Sequence, residues 1–178
     1  MYLVSAYFDE TSNKILEDYI KKVALASGND FYIANKVPAH LTLLALEART
    51  VEELIPDFEK LTLQDNTKLK SGEISIVTVG QLMPRVLYLA PYINEYLFDL
   101  QTCVYEAFMD LPGVKISSYY KPFSWLPHIT IGKTLTSEQM LRGVEVMQDF
   151  RSLDGKIVKI GLAKVNLHED VRSVNLSI

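Results

Sequence analysis

The sequence is poor in several residue types, and each shortage excludes a class of protein. Its one cysteine among 178 residues, Cys103, cannot form a disulfide within the chain, which fits a reducing compartment. Its 8 glycines and 7 prolines are too few for a fibrous or disordered chain. No segment approaches the ~20 consecutive apolar residues of a membrane helix. We therefore expect a folded cytoplasmic protein that has no membrane partner and buries Cys103 in its core.

Positive charge is also scarce. The chain has 18 Lys and Arg against 22 Asp and Glu, a net charge of −4, and only 3 histidines. Proteins that bind duplex nucleic acid depend on a basic surface, so duplex DNA is not an expected partner. A small phosphorylated substrate needs only local positive charge and stays possible. With 48% hydrophobic residues, the chain can bury one core, and we predict a single, monomeric domain over residues 1–178.

The hydrophobic pattern predicts the order β-α-β-α-β twice, in lobes covering about residues 1–80 and 86–178. The segment Met1–Phe8 has no basic residue, so we expect a first strand there and not a secretory signal. The first copy comprises strand Tyr2–Asp9, a helix from a cap at Thr11 or Ser12 to Gly28, strand Val37–Leu46, a helix from a Thr50–Glu53 capping box to about Leu61, and strand Glu73–Val79. The second comprises strand Val86–Ala90, helix Asn94–Leu111 with a cap near Asn94, strand Leu126–Gly132, helix Ser137–Phe150 with a cap at Ser137, and strand Lys156–Val165. A turn at Asn166–Arg172 and a last strand at Ser173–Ile178 follow.

Two of the three histidines lie in equivalent strands of these copies. His40 is followed by Thr42, and His128 is followed by Thr130, so both segments read H-x-T and are 88 positions apart (128 − 40). Side chains at i and i+2 share one face of a strand, and the intervening Leu and Ile residues are expected to face the core. One such motif alone would also fit an ordinary hydrogen-bonded histidine. The repetition at equivalent places favours a functional pair.

Two His/Thr units that face one groove are suited to phosphoester chemistry. Histidine has an ordinary pKa of about 6.5, so one neutral imidazole can accept a proton from water while a protonated one donates to a leaving oxygen. Threonine hydroxyls can donate hydrogen bonds to phosphate oxygens and stabilise the charge that develops on them. A cyclic phosphodiester suits this site best, because ring strain assists the leaving group.

These motifs resemble those of the two-histidine phosphoesterase superfamily, especially its bacterial branch of RNA 2′,3′-cyclic phosphodiesterases, also called 2′-5′ RNA ligases. The resemblance extends from the first strand through Pro38–Leu43 to Trp125–Gly132. It implies an α+β fold with two pseudo-symmetric lobes, each an antiparallel sheet with outer helices, around a central cleft. It further implies that His40 and His128 act as acid and base, that Thr42 and Thr130 hold the phosphate, and that no metal or cofactor takes part.

Four further residues are candidate substrate contacts. Tyr120 and Trp125 belong to the aromatic segment Tyr119–Trp125, which leads into the second motif and could stack on a base or simply cover the core. Tyr7 lies on the less apolar face of the first strand. Lys133 follows the second motif, near the place where many relatives carry arginine, and could contact a phosphate as a point charge.

Other interpretations remain open at this stage. A nucleotide- or RNA-binding module without activity could share the fold, although a binder has no need of an acid and a base. RNA strand joining would use the same residues in reverse. The run His168-Glu169-Asp170 could suggest a metal site, but polar residues in a hairpin turn are more simply explained by solvation, so we predict no metal.

Overall fold

The computed structural model describes residues 1–63, 69–82, 84–165 and 168–177. Its strands in this part of the chain are β1 (Tyr2–Phe8), β2 (Leu41–Glu47), β3 (Gly72–Leu82), β4 (Val86–Pro91), β5 (Lys115–Ile116), β6 (Ile129–Gly132), β7 (Leu153–Lys164) and β8 (Glu169–Asn175). Its α-helices there are α1 (Glu10–Ser27), α2 (Phe31–Ala34), α3 (Ile55–Leu63), α4 (Glu95–Phe108) and α5 (Ser137–Val146). All ten elements of the predicted repeat are present. The last strand, β8, begins at Glu169 and ends at Asn175, so residues 169–172 belong to a strand and not to the predicted turn. Residues 166, 167 and 178 of the predicted last turn and strand lie outside the described residues.

The strands form one sheet in which the order is β1-β2-β6-β4-β3-β7-β8, and β5 pairs with β2. Every pairing between these strands is antiparallel. Because β1 also pairs with β7, the path from β1 to β7 closes on itself. The predicted α+β class, with antiparallel strands and outer helices, is confirmed.

Equivalent strands in the two halves of the chain have equivalent pairing partners. The pair β1–β2 in the first half corresponds to β4–β6 in the second, and the pair β3–β4 corresponds to β7–β1. Equivalent strands also pair with each other, β2 with β6 and β3 with β7. This arrangement makes the strands of the two H-x-T motifs direct neighbours. Strand β8 lies outside the repeat.

The helices cover the sheet in a similarly reciprocal way. Helix α1 packs against β6 and α5, and helix α4 packs against β2 and α3. Each motif strand is therefore supported by a helix from the other half of the chain. The predicted core residues of the motif strands are fully or almost fully buried: Leu41, Leu43, Ile129 and Ile131. Cys103 is also buried, on α4, as predicted. No helix among the described residues has the length and apolar character needed to cross a membrane.

Helix termini are predicted correctly at two places and missed at two others. Asn94 caps α4, and Gly28 ends α1 in the left-handed conformation with φ of 69°. The cap of α1 is Asp9, not Thr11 or Ser12, and the cap of α5 is Thr136, not Ser137. Several residues that favour caps stand close together at both starts, so sequence alone does not select among them.

The capping box predicted at Thr50 is wrong. The side chain of Thr50 makes no capping hydrogen bond, and residues Val51–Glu53 form a 3-10 turn. Helix α3 begins only at Ile55, and Pro56 occupies its first turn. Proline lacks an N–H group and is favoured in the first turn of a helix, which explains the later start.

Candidate active site

The two motif histidines lie immediately before their strands. The sequence predicted both within strands, but β2 begins at Leu41 and β6 begins at Ile129. In each case the histidine follows a proline by one or two residues, Pro38 and Pro127, and proline cannot donate to a strand ladder. Each imidazole bonds instead to the main chain two residues back, because the Nδ1 atoms of His40 and His128 lie 2.8 and 2.9 Å from the carbonyl oxygens of Pro38 and Leu126.

These hydrogen bonds define which ring nitrogen is available. A carbonyl oxygen can only accept, so Nδ1 of each histidine carries the proton and donates it. In the neutral ring, Nε2 then has the free lone pair. Both histidines are thereby prepared to exchange a proton through Nε2.

The strand register brings the two motifs together. Leu41 pairs with Ile129 across the antiparallel strands β2 and β6. Extension of this register by one residue in each direction places His40 opposite Thr130 and Thr42 opposite His128. Since Leu41 and Ile129 face the core, the four motif side chains share the opposite face of the sheet. The predicted quartet therefore forms one cluster.

The surroundings of both histidines favour the neutral form. The pKa of His40 is lowered to about 3, chiefly by burial and then by charge repulsion from His168, His128 and Lys133, against a hydrogen bond to Pro38 that favours protonation. Burial also lowers the pKa of His128, again opposed by its main-chain hydrogen bond. The charge of His128 thus acts on His40.

Each motif threonine is accompanied by a tyrosine from the other half of the chain. Burial raises the pKa of Tyr32 to about 12, and a side-chain hydrogen bond with Thr130 opposes this rise. Burial likewise raises the pKa of Tyr120, and a side-chain hydrogen bond with Thr42 opposes it. Tyr120 is one of the predicted contacts, whereas Tyr32 was missed. The signal was present, because the two tyrosines are 88 positions apart (120 − 32), the same offset as the histidines.

A cavity of about 410 Å³ opens beside His40. Its lining includes Phe31, Tyr32, Lys133 and His168. The ammonium of Lys133 lies 5.9 Å from the centre of the Phe31 ring, and its charge opposes protonation of His40. The predicted contact Lys133 is therefore close to His40, in a cavity with aromatic walls.

The structure corrects the expected role of Trp125. Its side chain is only 7% exposed, and its indole N–H donates to the carbonyl oxygen of Thr42 at 3.0 Å. The ring supports the backbone of the first motif and offers no open face to a base. In the same segment, Tyr119 and Phe123 are the exposed aromatic residues, at 78% and 94%. Phe123 also packs on Phe98, with ring centres 5.2 Å apart.

Tyr7 is next to the cluster but is already engaged by other side chains. It is 7% exposed, and its hydroxyl group lies 3.0 Å from Nε2 of His168 and donates to Asp170. His168 in turn lies against His40, with ring centres 3.9 Å apart. The sequence pattern placed His168 and Asp170 in a solvated turn, so this link was missed. Within the described part of the chain, no three His, Cys, Asp or Glu residues form a group that could hold a metal ion.

Comparison with known proteins establishes the fold. No family model matches the sequence, and no curated protein matches it. Among solved structures, a phosphoesterase aligns with a TM-score of 0.63 and 14% identity over 99% of this chain and 98% of its own. TT0787 of Thermus thermophilus aligns with a TM-score of 0.59 and 18% identity, over 98% and 97%. E. coli LigT complexed with 3′-AMP aligns with a TM-score of 0.61 and 12% identity, over 99% and 98%.

The chain shares the fold of these solved structures, among them a phosphoesterase and E. coli LigT. Alignment over nearly the full length of each chain confirms, at the level of the fold, the resemblance drawn from the H-x-T motifs.

Proposed function

We propose that this protein is a metal-independent phosphoesterase that hydrolyses a cyclic phosphodiester, such as a 2′,3′-cyclic nucleotide or a cyclic RNA end. The observation that carries the proposal is the meeting of both H-x-T motifs on one face of adjacent strands. His40 and His128 are the acid/base pair, and Thr42 and Thr130 hold the phosphate. All four residues come from one chain, so the proposed site needs no residue from a second copy, and we propose a monomeric enzyme.

The proposed reaction needs two proton transfers. A neutral histidine accepts a proton at Nε2 from water as the water oxygen bonds to phosphorus. The bond between phosphorus and one ring oxygen breaks, and that oxygen takes a proton from Nε2 of the other, protonated histidine. The two threonine hydroxyls donate hydrogen bonds to the non-bridging oxygens, where negative charge increases. One water is consumed, the product is a phosphomonoester, and proton exchange with solvent restores both histidines.

Two features support a nucleotide as the substrate. E. coli LigT, which shares the fold, is complexed with 3′-AMP, a nucleoside that carries a phosphomonoester. The cavity of about 410 Å³ next to His40 lies within the usual size range of small-molecule sites and combines aromatic residues with the cation of Lys133. A short or cyclic end fits such a local site, whereas the net charge of −4 does not favour long RNA.

The direct test is turnover of 2′,3′-cyclic AMP in the presence of EDTA, followed by separation of 2′-AMP and 3′-AMP. We expect hydrolysis that survives EDTA and a bell-shaped dependence of kcat/KM on pH. The matched control substrate is 3′,5′-cyclic AMP, whose six-membered ring has less strain and should react far more slowly. Tight binding of the 2′,3′-cyclic nucleotide without turnover would instead identify a binding module, and loss of activity in EDTA would contradict the metal-independent mechanism.

A further inference from the structure

The third histidine of the chain also lies at the candidate active site. His168, between β7 and β8, is stacked on His40 with ring centres 3.9 Å apart and ring planes 32° apart. The contact joins residues that are far apart in sequence, and it depends on the pairing of β7 with β1 and β8. His168 is not part of either H-x-T motif, and its β8 hairpin lies outside the repeat.

A chain of polar groups holds the His168 ring in place. Tyr7 has one hydroxyl proton, which it donates to Asp170, so the contact of 3.0 Å between Tyr7 Oη and His168 Nε2 requires the histidine to donate. Lys159 lies 3.4 Å from Asp170 and 4.4 Å from the centre of the Tyr7 ring, and it balances the carboxylate charge. The ring of His168 is therefore anchored on one side through Nε2 and contacts His40 on the other.

The backbone of His168 is consistent with a position imposed by these contacts. Its φ is 47°, in the left-handed region that residues with a side chain seldom adopt. Such a conformation persists where surrounding contacts fix it. The Tyr7 and Asp170 side chains supply such contacts.

The groups around the stacked pair determine its charge. Three groups around His40 oppose a positive charge on its ring. They are His168 in the β7–β8 turn, and His128 and Lys133 at the two ends of β6. His168 faces Lys133, which opposes its protonation, and Asp170, which favours it, although burial is the largest influence and lowers its pKa. Two imidazolium rings in contact would repel each other strongly, so the neutral pair is favoured.

We propose that His168 is a positioning residue: the Asp170–Tyr7–His168 chain fixes the His40 ring and keeps it neutral, which makes His40 the proton acceptor and His128 the proton donor. The catalytic part of this inference rests on the proposed function. The effect of His168 on the protonation of His40 does not, and it can be measured without substrate. That independence allows the two proposals to fail separately.

The test is NMR titration of the protein with isotope-labelled histidine, because the chain has only 3 histidines to assign. In the wild type we expect His40 to become protonated at a lower pH than His128, with its proton on Nδ1 when neutral. In His168→Gln the midpoint of His40 should rise by about one pH unit or more, since a ring that can carry charge is replaced by a neutral side chain. The acidic limb of kcat/KM should move in the same direction.

Glu169→Gln is the matched control, because Glu169 is the exposed neighbour of His168 and its loss should leave the His40 midpoint unchanged. Tyr7→Phe keeps the aromatic ring but removes the hydroxyl group that anchors His168, so we expect the His40 midpoint to rise by a smaller amount. This variant tests the proposal even if His168→Gln does not fold. An unchanged His40 midpoint in either variant, or a wild type in which His40 protonates at a higher pH than His128, would overturn the proposal. If the midpoints shift as expected but no cyclic phosphate is hydrolysed, the proposed function fails and the positioning effect stands.

Discussion

His40 lies against a second imidazole, whereas His128, its equivalent in the other half of the chain, lies near the edge of Tyr88 with ring centres 5.5 Å apart. The two histidines share two local contacts, although only His40 also lines the cavity with Lys133. Each donates from Nδ1 to a carbonyl two residues earlier, and each faces a threonine across the strand pair. The difference comes from His168, which the β7–β8 hairpin adds to only one side of the repeat.

The contrast between the two histidines suggests how a symmetric fold can perform an asymmetric reaction. Hydrolysis needs one neutral and one protonated histidine at the same time, but a perfect twofold repeat would give both the same proton affinity. In the proposed mechanism the repeat supplies two equivalent sets of phosphate contacts. In our proposal the hairpin outside the repeat helps to separate the proton affinities, because it stacks His168 on His40 alone, and burial and the charge of Lys133 act on His40 in the same direction.

The largest expected effect tests what the two halves share. His40→Ala and His128→Ala should each lower kcat on 2′,3′-cyclic AMP by about 10²–10⁴-fold, because each removes one of the two proton-transfer groups. Circular dichroism and thermal unfolding would verify that both variants are folded. Turnover near that of the wild type in either variant would show that its half takes no part in the chemistry.

The threonines should show a smaller and similarly shared effect. Thr42→Val and Thr130→Val keep the shape of the side chain but remove a hydroxyl donor, and each should cost about 10²-fold in kcat. Thr78→Val, at an exposed place on β3, is the control and should react like the wild type. A large loss in only one of the two motif variants would mean that the phosphate is held by one half.

Stability should reveal the difference between the halves as the pH falls. The pKa values of His40, His128 and His168 are all lowered in the folded state, so below pH 6.5 the unfolded chain binds more protons and folding becomes less favourable. Each such histidine lowers the free energy of unfolding by up to about 1.4 kcal/mol for each pH unit of acidification. Urea unfolding should be measured between pH 7.5 and 5.5, above the pKa range of ordinary carboxylates. The free energy of unfolding should depend less on pH in His168→Gln than in the wild type. The same slope in both proteins would argue against the stacked neutral pair.

The smallest expected effect concerns the tyrosines that accompany the threonines. Tyr32→Phe and Tyr120→Phe each remove one hydrogen-bonding hydroxyl group. The net contribution of one hydrogen bond is about 0.5–1.5 kcal/mol, so we expect about a 2–10-fold loss of kcat/KM. Tyr92→Phe, at a residue that is 53% exposed, is the control. Equal losses would extend the similarity of the two halves from the histidines and threonines to the tyrosines. A gain of activity in either motif variant would contradict a supporting role.

Sequence pattern was sufficient to predict the repeated order of elements and the shared face of His40, Thr42, His128 and Thr130. Strand alternation places a histidine and the threonine two positions later on one face, and the shared offset of 88 indicates equivalent strands. That these strands would be adjacent, with Leu41 opposite Ile129, depends on the pairing of two segments from different halves. Pattern within one segment carries no information on that pairing.

The remaining features of the site depend on tertiary contacts. His168 and Asp170 have the composition of a solvated turn, and only the pairing of β7 with β1 and β8 brings them to Tyr7 and His40. The burial of Trp125 was equally hidden, because an aromatic segment without strand or helix periodicity does not indicate which rings face the core. The partners of such residues come from distant parts of the chain.

The most direct test of a single phosphate site shared by both halves is a crystal structure of the protein with inorganic phosphate or a 3′-nucleotide. We predict one phosphate within about 3 Å of Nε2 of His40 and His128 and of the hydroxyls of Thr42 and Thr130, with His168 still stacked on His40. A phosphate bound to only one motif, or two phosphates bound separately by the two histidines, would contradict the claim that both halves act on a single phosphate.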